Sequence, residues 1–395
     1  MMKTTSALVG LLLTGIAATP AHADTIRQKQ WHLNAMKADD IWKISTGKGI
    51  TVAVIDTGVN RVPELEGQVL PGKDFAGAEG YKEDERHDYD GHGTQMSALI
   101  AGTGKHPTGD GAYGLAPGAK ILPIRVPSFL VGSKTVSAVA AIRYAADSDA
   151  KIINISMSVS GPPEDDQGRA DAVKYALSKG KLIFAAVGNE GDSDNKVEYP
   201  GATPGVVGVG AVDSDGAATN FSQHGPQVDL SAPGLAIVTA CTGKTGVCKG
   251  NGTSHASALA SASAALLWSI HPDWTNNQIL RVLLNTAGKS EDGAARNDYI
   301  GYGVVRPRVA IPTPGDPGPA DVYPLPDFPA AGAKSPQPSS SGKTPNSGTL
   351  KPAPTPQAEA GKQPVRTLVW IALGIGACLL IGGAVTAVVV RRTNR

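Results

Sequence analysis

Five short and mainly apolar runs lie along the chain, at residues 50–55, 121–126, 152–157, 182–187 and 206–212. The runs are rich in β-branched residues and do not alternate regularly with polar ones, as they would if one face of each strand met water. Runs of this length and composition predict strands that are buried on both faces, as in a parallel sheet.

Helical patterns separate the predicted strands. Residues 136–146 and 170–177 carry apolar positions at helical spacing, and two further helices are predicted over residues 253–270 and 276–285. Strands that alternate with helices indicate an α/β fold with a doubly wound, mostly parallel sheet flanked by helices. In such sheets the functional residues gather at the carboxyl ends of the strands.

The first residues resemble a secretory signal peptide. Lys3 gives a positive start, residues 7–19 form an apolar core, and Ala21-His22-Ala23 fits a small-x-small cleavage pattern. We therefore predict a signal peptide over residues 1–23, the alternative being a buried first helix.

The other end of the chain predicts a membrane anchor. Residues 367–390 contain no charged residue, and a helix of that length spans about 30 Å of hydrocarbon with some tilt. The five-residue basic tail, 391–395, follows at once, and positive residues favour the cytoplasmic side. We expect a single-pass protein of the cell membrane, with its large domain outside and its C-terminus in the cytoplasm.

Residues 311–366 are rich in proline and small polar residues, which predicts a disordered linker between a domain at 24–310 and the span. The formal net charge of +1 gives no reason to expect a nucleic-acid partner. Of the three cysteines, Cys378 falls in the predicted span. Cys241 and Cys248 are expected to form a disulfide that closes a small hairpin outside the cell, the alternative being two free thiols.

Three segments far apart in the chain each place a chemically useful side chain beside glycine. They are D-T-G at 56–58, G-H-G-T at 91–94 and G-T-S at 252–254. They supply an acid, a base and a hydroxyl in the order Asp, His, Ser, which is the order of the subtilisin-type triad. Hydrolysis by an activated serine is the leading hypothesis.

The chemistry requires residues of these types. A serine hydroxyl needs a neighbouring base, and the base needs a group that holds it in the correct tautomer. We expect Ser254 to attack, His92 to act as the base and Asp56 to orient it. Asn189 follows a predicted strand, and together with the amide of Ser254 at a helix start it is expected to stabilise an oxyanion.

Each segment also has a plainer interpretation. D-T-G occurs in aspartic proteases, but those need a second such aspartate, and the chain contains one triplet of this kind. His87, Asp88, Asp90 and His92 form a cluster that could bind a divalent metal. A lone serine in G-T-S is commonly a helix cap, and Asn189 could be a turn residue. One hydrolytic site explains all of these residues together, so we expect no metal ligands and no cofactor.

The chain resembles the subtilase family over roughly residues 40–310. The segments that carry the resemblance are V-A-V-I-D-T-G-V (52–59), D-G-H-G-T (90–94), N-I-S-M-S (154–158), A-A-V-G-N-E-G (185–191) and N-G-T-S (251–254). Within the family it is similar to the mycosins, membrane-anchored subtilases associated with type VII secretion. Q-W-H-L at 30–33, the cysteine pair, the linker and the span carry that similarity.

The resemblance implies further roles. Ser156, Met157 and Ser158 would pair with the substrate backbone by strand addition. A wall of the pocket for the residue before the cut would be formed by Ala185, Ala186, Val187 and Gly188. The family usually has glycine where Ser158 stands, so its side chain is expected to narrow the pocket. His255 stands where the family usually has methionine, and it is expected to pack away from Ser254.

Two classes of function follow. The first is an endopeptidase that cleaves protein or peptide substrates at the outer face of the membrane. The second is a structural component that stabilises a type VII secretion complex, with proteolysis secondary. The resemblance also implies that residues before the first strand form a short N-terminal extension that wraps the domain. Many subtilases bind calcium, but no acidic loop is specific enough to assign such a site.

Overall fold

The computed structural model describes residues 24–76, 84–127 and 134–328. Its strands are β1 (Thr51–Asp56), β2 (Lys73–Asp74), β3 (Lys120–Arg125), β4 (Ile152–Ile155), β5 (Val159–Ser160), β6 (Leu182–Ala186), β7 (Glu198–Tyr199), β8 (Val207–Val212), β9 (Leu230–Pro233), β10 (Ile237–Ala240) and β11 (Val247–Gly250). Its α-helices are α1 (Ile26–Lys29), α2 (Trp31–Ala35), α3 (Ala38–Ile41), α4 (His92–Ala101), α5 (Lys134–Asp147), α6 (Gln167–Ser178), α7 (Thr253–Ile270), α8 (Asn276–Thr286) and α9 (Pro307–Ala310).

The centre of the fold is a seven-stranded sheet in the order β2-β3-β1-β4-β6-β8-β9. Every neighbouring pair in it is parallel. Two antiparallel ribbons, β5–β7 and β10–β11, stand beside it. The expectation of an α/β fold with a mostly parallel sheet flanked by helices is confirmed.

The sheet has a hydrophobic core on each face. In β1, Val52 and Val54 join the core on the side of α4, α7 and α8, whereas Ala53 and Ile55 join the core on the side of α5 and α6. Successive side chains of a strand point to opposite faces, so a run that is apolar at every position buries both. This is why each of these strands is a continuous apolar run in the sequence.

Helix α7 lies against the middle of the sheet and is buried from Thr253 to Trp268. Its sequence is dominated by alanine and serine, whose small side chains let the helix approach the strands closely. The two hydroxyls of Ser257 and Ser261 donate to Oδ1 of the buried Asn154 on β4, at 2.9 and 3.0 Å. These bonds satisfy the buried amide oxygen and fix the start of α7 beside the end of β4.

The predicted strands correspond to β1, β3, β4, β6 and β8, and the four predicted helices correspond to α5, α6, α7 and α8. The prediction omitted the edge strands β2 and β9, which are short and include polar residues. It also omitted α4, which is buried almost all round and therefore lacks an amphipathic pattern. Strand β4 ends at Ile155, where the chain leaves the sheet, two residues earlier than predicted.

The extension before β1 packs against the domain. Gln30 is fully buried, and its Nε2 donates to the carbonyls of Tyr113 and Val238 at 2.7 and 3.1 Å. The indole of Trp42 donates to Leu115 O at 2.9 Å. These bonds tie the extension to the loop before β3 and to strand β10.

The domain's contacts continue past residue 310, where the linker was predicted to begin. Arg281 of α8 donates to the carbonyls of Pro317 and Pro319 at 2.7 and 2.9 Å. Leu325 is 2% exposed, and the hydroxyl of Tyr323 donates to Gly205 O at 2.9 Å. The proline carbonyls thus accept hydrogen bonds from the domain and Leu325 is buried, so the first part of the predicted linker, as far as residue 325, packs on the domain.

The predicted signal peptide (1–23), the rest of the predicted linker, the predicted span (367–390) and the basic tail lie outside the described residues. Within the described ranges, no helix combines the length and apolar character needed to cross a bilayer.

Candidate active site

Asp56 and His92 meet at the carboxyl end of a central strand. Asp56 is the last residue of β1 and is 1% exposed, and His92 is the first residue of α4. His92 Nδ1 donates to Asp56 Oδ1 at 2.8 Å. This bond leaves Nε2, on the opposite side of the ring, as the proton acceptor.

The close approach of α4 to β1 depends on glycine. A Cβ at Gly93 would lie 2.2 Å from Gly58 O and 3.1 Å from the Cβ of Asp56. Any side chain at this position would therefore push the first turn of α4 away from the aspartate.

Asp88 holds the loop that presents His92. Its carboxylate accepts from the hydroxyls of Thr57 and Thr94 at 2.8 and 2.6 Å and from the amides of Gly91 and Thr94 at 2.7 and 2.8 Å. Four hydrogen bonds occupy the carboxylate within the protein. Asp88 is therefore a positioning residue for the loop and not a free metal ligand.

The two histidines of the suspected metal cluster pair with different carboxylates. The imidazole of His87 pairs with Asp84 at 3.2 Å, while His92 pairs with Asp56. Among the described residues, no group of three or more His, Cys, Asp or Glu side chains is arranged to hold a metal ion. We therefore derive no step of the reaction through a metal.

His92 is 22% exposed at its side chain and is surrounded by acids. Burial acts to lower its pKa, but the charge and hydrogen bond of Asp56, with smaller contributions from Asp90 and Asp88, outweigh it. The net effect raises the pKa of His92 above 6.5. The neighbouring carboxylates thus stabilise the imidazolium that forms when His92 accepts a proton.

Ser254 lies in the first turn of α7 and is 6% exposed. Its Oγ donates to Ser156 O at 3.1 Å, and Ser156 Oγ donates back to Ser254 O at 3.3 Å. Gly252, with φ of +149°, caps the helix without a side chain. The amide of Ser254 is therefore among the first N–H groups of the helix, which have no partner within it.

Asn189 is oriented by the residue before the serine. Its Oδ1 accepts from the amide of Thr253 at 2.8 Å and from the hydroxyl of Thr253 at 3.1 Å. The amide Nδ2 is at the other end of the side chain, which lines the same cleft as Ser254. The two residues expected to supply the oxyanion donors, Asn189 and Ser254, therefore line one cleft.

The expected substrate-binding residues divide into two groups. Ser156, Ser158 and Ala186 line the cleft with Ser254, and Met157 lines a neighbouring apolar pocket. By contrast, Ala185 and Val187 are fully buried. Gly188 contributes backbone, since its amide and carbonyl each lie 3.3 Å from the Thr253 hydroxyl.

Two acidic residues of the cleft were missed from the sequence. Glu190 and Glu198 line it together with Ser254, the first exposed and the second half-buried. Glu190 directly follows Asn189, so its position was a usable signal. Glu198 lies on β7, and no motif in the sequence marks it.

The cysteine pair forms the expected disulfide. Cys241 and Cys248 are bonded, with their Cα atoms 5.8 Å apart, and close the loop between β10 and β11. The hairpin leads directly into Gly252 and the start of α7. The expectation of two bonded cysteines is thereby confirmed.

Comparisons with known proteins agree on one family. The sequence profile of the subtilase family matches residues 47–303. Mycosin-1 of Mycolicibacterium smegmatis is 32% identical over 75% of this chain and 76% of its own length. The major intracellular serine protease of Bacillus subtilis is 36% identical over 60% of this chain and 74% of its own. The crystal structure of MycP1 from the ESX-1 type VII secretion system superposes with a TM-score of 0.65 at 30% identity, over 76% of this chain and 90% of that one.

Proposed function

The chain belongs to the subtilase family of serine proteases, and we propose that it is an endopeptidase with Asp56, His92 and Ser254 as its catalytic triad. The observation that carries the proposal is the 2.8 Å hydrogen bond from His92 Nδ1 to the buried Asp56. It fixes the ring so that Nε2 is the nitrogen that accepts a proton in the proposed reaction, and Ser254 lies at the start of α7.

In the proposed reaction, Ser254 Oγ exchanges its bond to Ser156 O for one to His92 and attacks the substrate carbonyl carbon. His92 takes the hydroxyl proton as the new C–O bond forms, and Asp56 stabilises the resulting imidazolium. The oxyanion accepts hydrogen bonds from the amide of Ser254 and from Nδ2 of Asn189. His92 then gives its proton to the leaving amine, and water, activated by the same histidine, releases the acyl group.

The experiment is labelling of the full chain with a fluorophosphonate, which reacts with activated serines. We expect labelling of the wild-type protein and none of Ser254→Ala. Ser263→Ala is a matched control, because this buried serine of the same helix lies outside the cleft and its hydroxyl donates only to Leu259 O within the helix. Absence of labelling in the folded wild-type protein would contradict the proposed triad.

We also propose that the domain works at the outer face of a membrane, anchored through residues 367–390 and preceded by a signal peptide at 1–23. The basis is the apolar span followed by arginines and the predicted cleavage pattern. We expect the full chain to sediment with membranes and a chain ending at residue 366 to be released. Protease added to intact cells should digest the domain, and resistance to it would refute this topology.

The similarity to mycosins, among them MycP1 from the ESX-1 type VII secretion system, supports an association of this chain with such a system. A structural role within the complex is the alternative to proteolysis. Ser254→Ala separates the two: secretion in a host carrying the system should fail if cleavage is required. It should survive if the domain acts by stabilising the complex.

A further inference from the structure

The cleft beside Ser254 has a volume of about 540 Å³ and a polar lining. The residues that line it are Ser156, Ser158, Val159, Ser160, Ala186, Asn189, Glu190, Glu198 and Ser254. Among these lining residues there are two carboxylates and no cationic side chain. The lining therefore places two carboxylates and no positive charge near Ser254, in a cleft whose Ala186 is expected to line the pocket for the substrate residue before the cut.

Glu198 is held in place by two donors. Strand β7 pairs with β5, which sets Glu198 opposite Ser160. One carboxylate oxygen accepts from Ser158 Oγ, and the other accepts from Nε2 of the fully buried Gln223 at 2.9 Å. Both bonds donate to the carboxylate and act to stabilise its ionised form, against the burial that disfavours that form.

Gln223 is itself immobilised. A Cβ added to Gly188 would lie 2.5 Å from the Cδ of Gln223, so the amide packs directly on the glycine backbone behind the cleft. The orientation of Glu198 is thus built into the core. Each carboxylate oxygen has further acceptor capacity that a ligand can use.

The position of Glu198 leaves a negative charge half-buried. Burial, together with the charge of Glu190, raises the pKa of Glu198, while the hydrogen bonds from Ser158 and Gln223 act to lower it. A buried charge is costly unless it is paired. A cationic side chain in the cleft would supply the pair, an aliphatic one would not, and an acidic one would add a like charge.

Resting on the proposed protease function, we infer that the cleft selects substrates with lysine or arginine immediately before the scissile bond, with Glu198 as the counter-ion. Glu190 is a second, exposed carboxylate of the same cleft and contributes less because water screens it. The serine at position 158 thereby acquires a role. It positions Glu198 in addition to narrowing the pocket.

The test uses the full chain and a set of peptidyl diphenyl phosphonates, which react covalently with an active serine. The members are identical except for the side chain at the reacting residue, which is that of lysine, arginine, leucine or glutamate. A fluorophosphonate without a peptide portion is used in parallel to measure the reactivity of Ser254 alone. The readout is the second-order rate constant of inactivation for each probe.

We expect the lysine and arginine probes to react about 10-fold to 100-fold faster than the leucine probe, the range of a charge-assisted hydrogen bond. The glutamate probe should be slowest. In Glu198→Gln the preference for basic over leucine probes should fall about 10-fold or more, and in Glu190→Gln by a smaller factor. The exposed Glu291→Gln, which removes the same charge outside the cleft, should leave the preference unchanged.

The outcomes separate the two proposals. If the fluorophosphonate labels Ser254 but the leucine probe reacts as fast as the basic ones, the inference about the cleft is overturned and the protease function stands. The same holds if Glu198→Gln, still labelled by the fluorophosphonate, keeps the full preference for basic probes. If the fluorophosphonate fails to label the folded protein, the protease function is overturned and the inference falls with it.

Discussion

Two buried histidines should make the domain sensitive to acid. His32 of α2 is fully buried and His255 of α7 is 4% exposed. Neither ring nitrogen of either residue has a hydrogen-bond partner among the described residues. Burial, with smaller contributions from the charges of His255 and Arg27, lowers the pKa of His32 to about 3. Burial, with a smaller contribution from the charge of His92, lowers the pKa of His255 to about 4.

The sign follows from proton linkage. Below pH 6.5 the unfolded chain protonates both histidines, whereas the folded chain keeps them neutral down to about pH 4 and about pH 3. The unfolded state therefore binds more protons in this window, and the free energy of unfolding decreases as the pH falls. This loss of stability begins near the pKa of histidine in the unfolded chain and is complete below the pKa values of the two histidines in the folded chain.

The magnitude is large on the scale of domain stability. A pH of 5 is ~1.5 units below the pKa of an unfolded histidine. At about 1.4 kcal/mol per unit, each buried histidine therefore lowers the free energy of unfolding by about 2 kcal/mol. Together they remove about 4 kcal/mol, where typical domains have a total of about 5–15 kcal/mol.

The assay is urea denaturation at about pH 7 and about pH 5, followed by tryptophan fluorescence, in the full chain carrying Ser254→Ala to prevent self-cleavage. Adding His255→Met substitutes the residue that the family commonly has there and removes one titrating group. We expect the loss of unfolding free energy between the two pH values to be about 2 kcal/mol smaller in this variant. The exposed His87→Gln is the matched control and should change the loss little.

Some carboxyls act in the opposite direction. The pKa values of Glu64 and Asp229 are raised, mainly by burial, so these groups add stability as the pH falls. They are present in both chains and cancel in the comparison between wild type and variant. An equal loss in the two chains would mean that His255 is not desolvated as its burial indicates, and the reasoning would be wrong.

Four further predictions concern the site and the hairpin. The raised pKa of His92 means that kcat/KM should fall as the pH drops through a value above 6.5, which a pH–rate profile would measure. The variant Asp56→Asn should reduce kcat about 10⁴-fold, which steady-state kinetics would measure. Asn189→Ala should reduce kcat about 10²–10³-fold with KM little changed; an unchanged kcat would exclude Asn189 from the oxyanion hole. Replacing Cys241 and Cys248 by serine should cost about 2 kcal/mol in urea denaturation, and a difference below about 0.5 kcal/mol would contradict a stabilising disulfide.

The sequence predicted those parts of the fold that are set by local pattern. The runs that became β1, β6 and β8 are apolar because both faces of the sheet are covered, and α7 begins at Thr253 as expected from its flanking glycine. Helix α4 was missed for a physical reason. It is buried almost all round, so its apolar positions show no period that separates an inner from an outer face.

The candidate triad was recognisable because each member lies beside glycine at the end of a strand or the start of a helix. The residues that position the candidate triad could not be recognised from the sequence. Asp88 was noted as one of four possible metal ligands, yet its carboxylate is filled by hydrogen bonds from Thr57, Gly91 and Thr94. Which partner a carboxylate takes depends on how the loop closes, and that is a tertiary property.

The pair Ser158 and Glu198 shows how far local reasoning can reach. From sequence, Ser158 is expected only to narrow a pocket, because the family usually has glycine at this position. In the fold the antiparallel β5–β7 ribbon brings it to Glu198, and its hydroxyl becomes a donor to a carboxylate. The same segment supplies Ser156 O, which accepts from Ser254, so residues 156–158 contact both the nucleophile and the carboxylate. The hydrogen bonds of Glu198 itself come from Ser158 and Gln223 and not from Ser254. Changes at Glu198 should therefore alter which peptides are cleaved more than the reactivity of Ser254, which makes the specificity of the site testable separately from its chemistry.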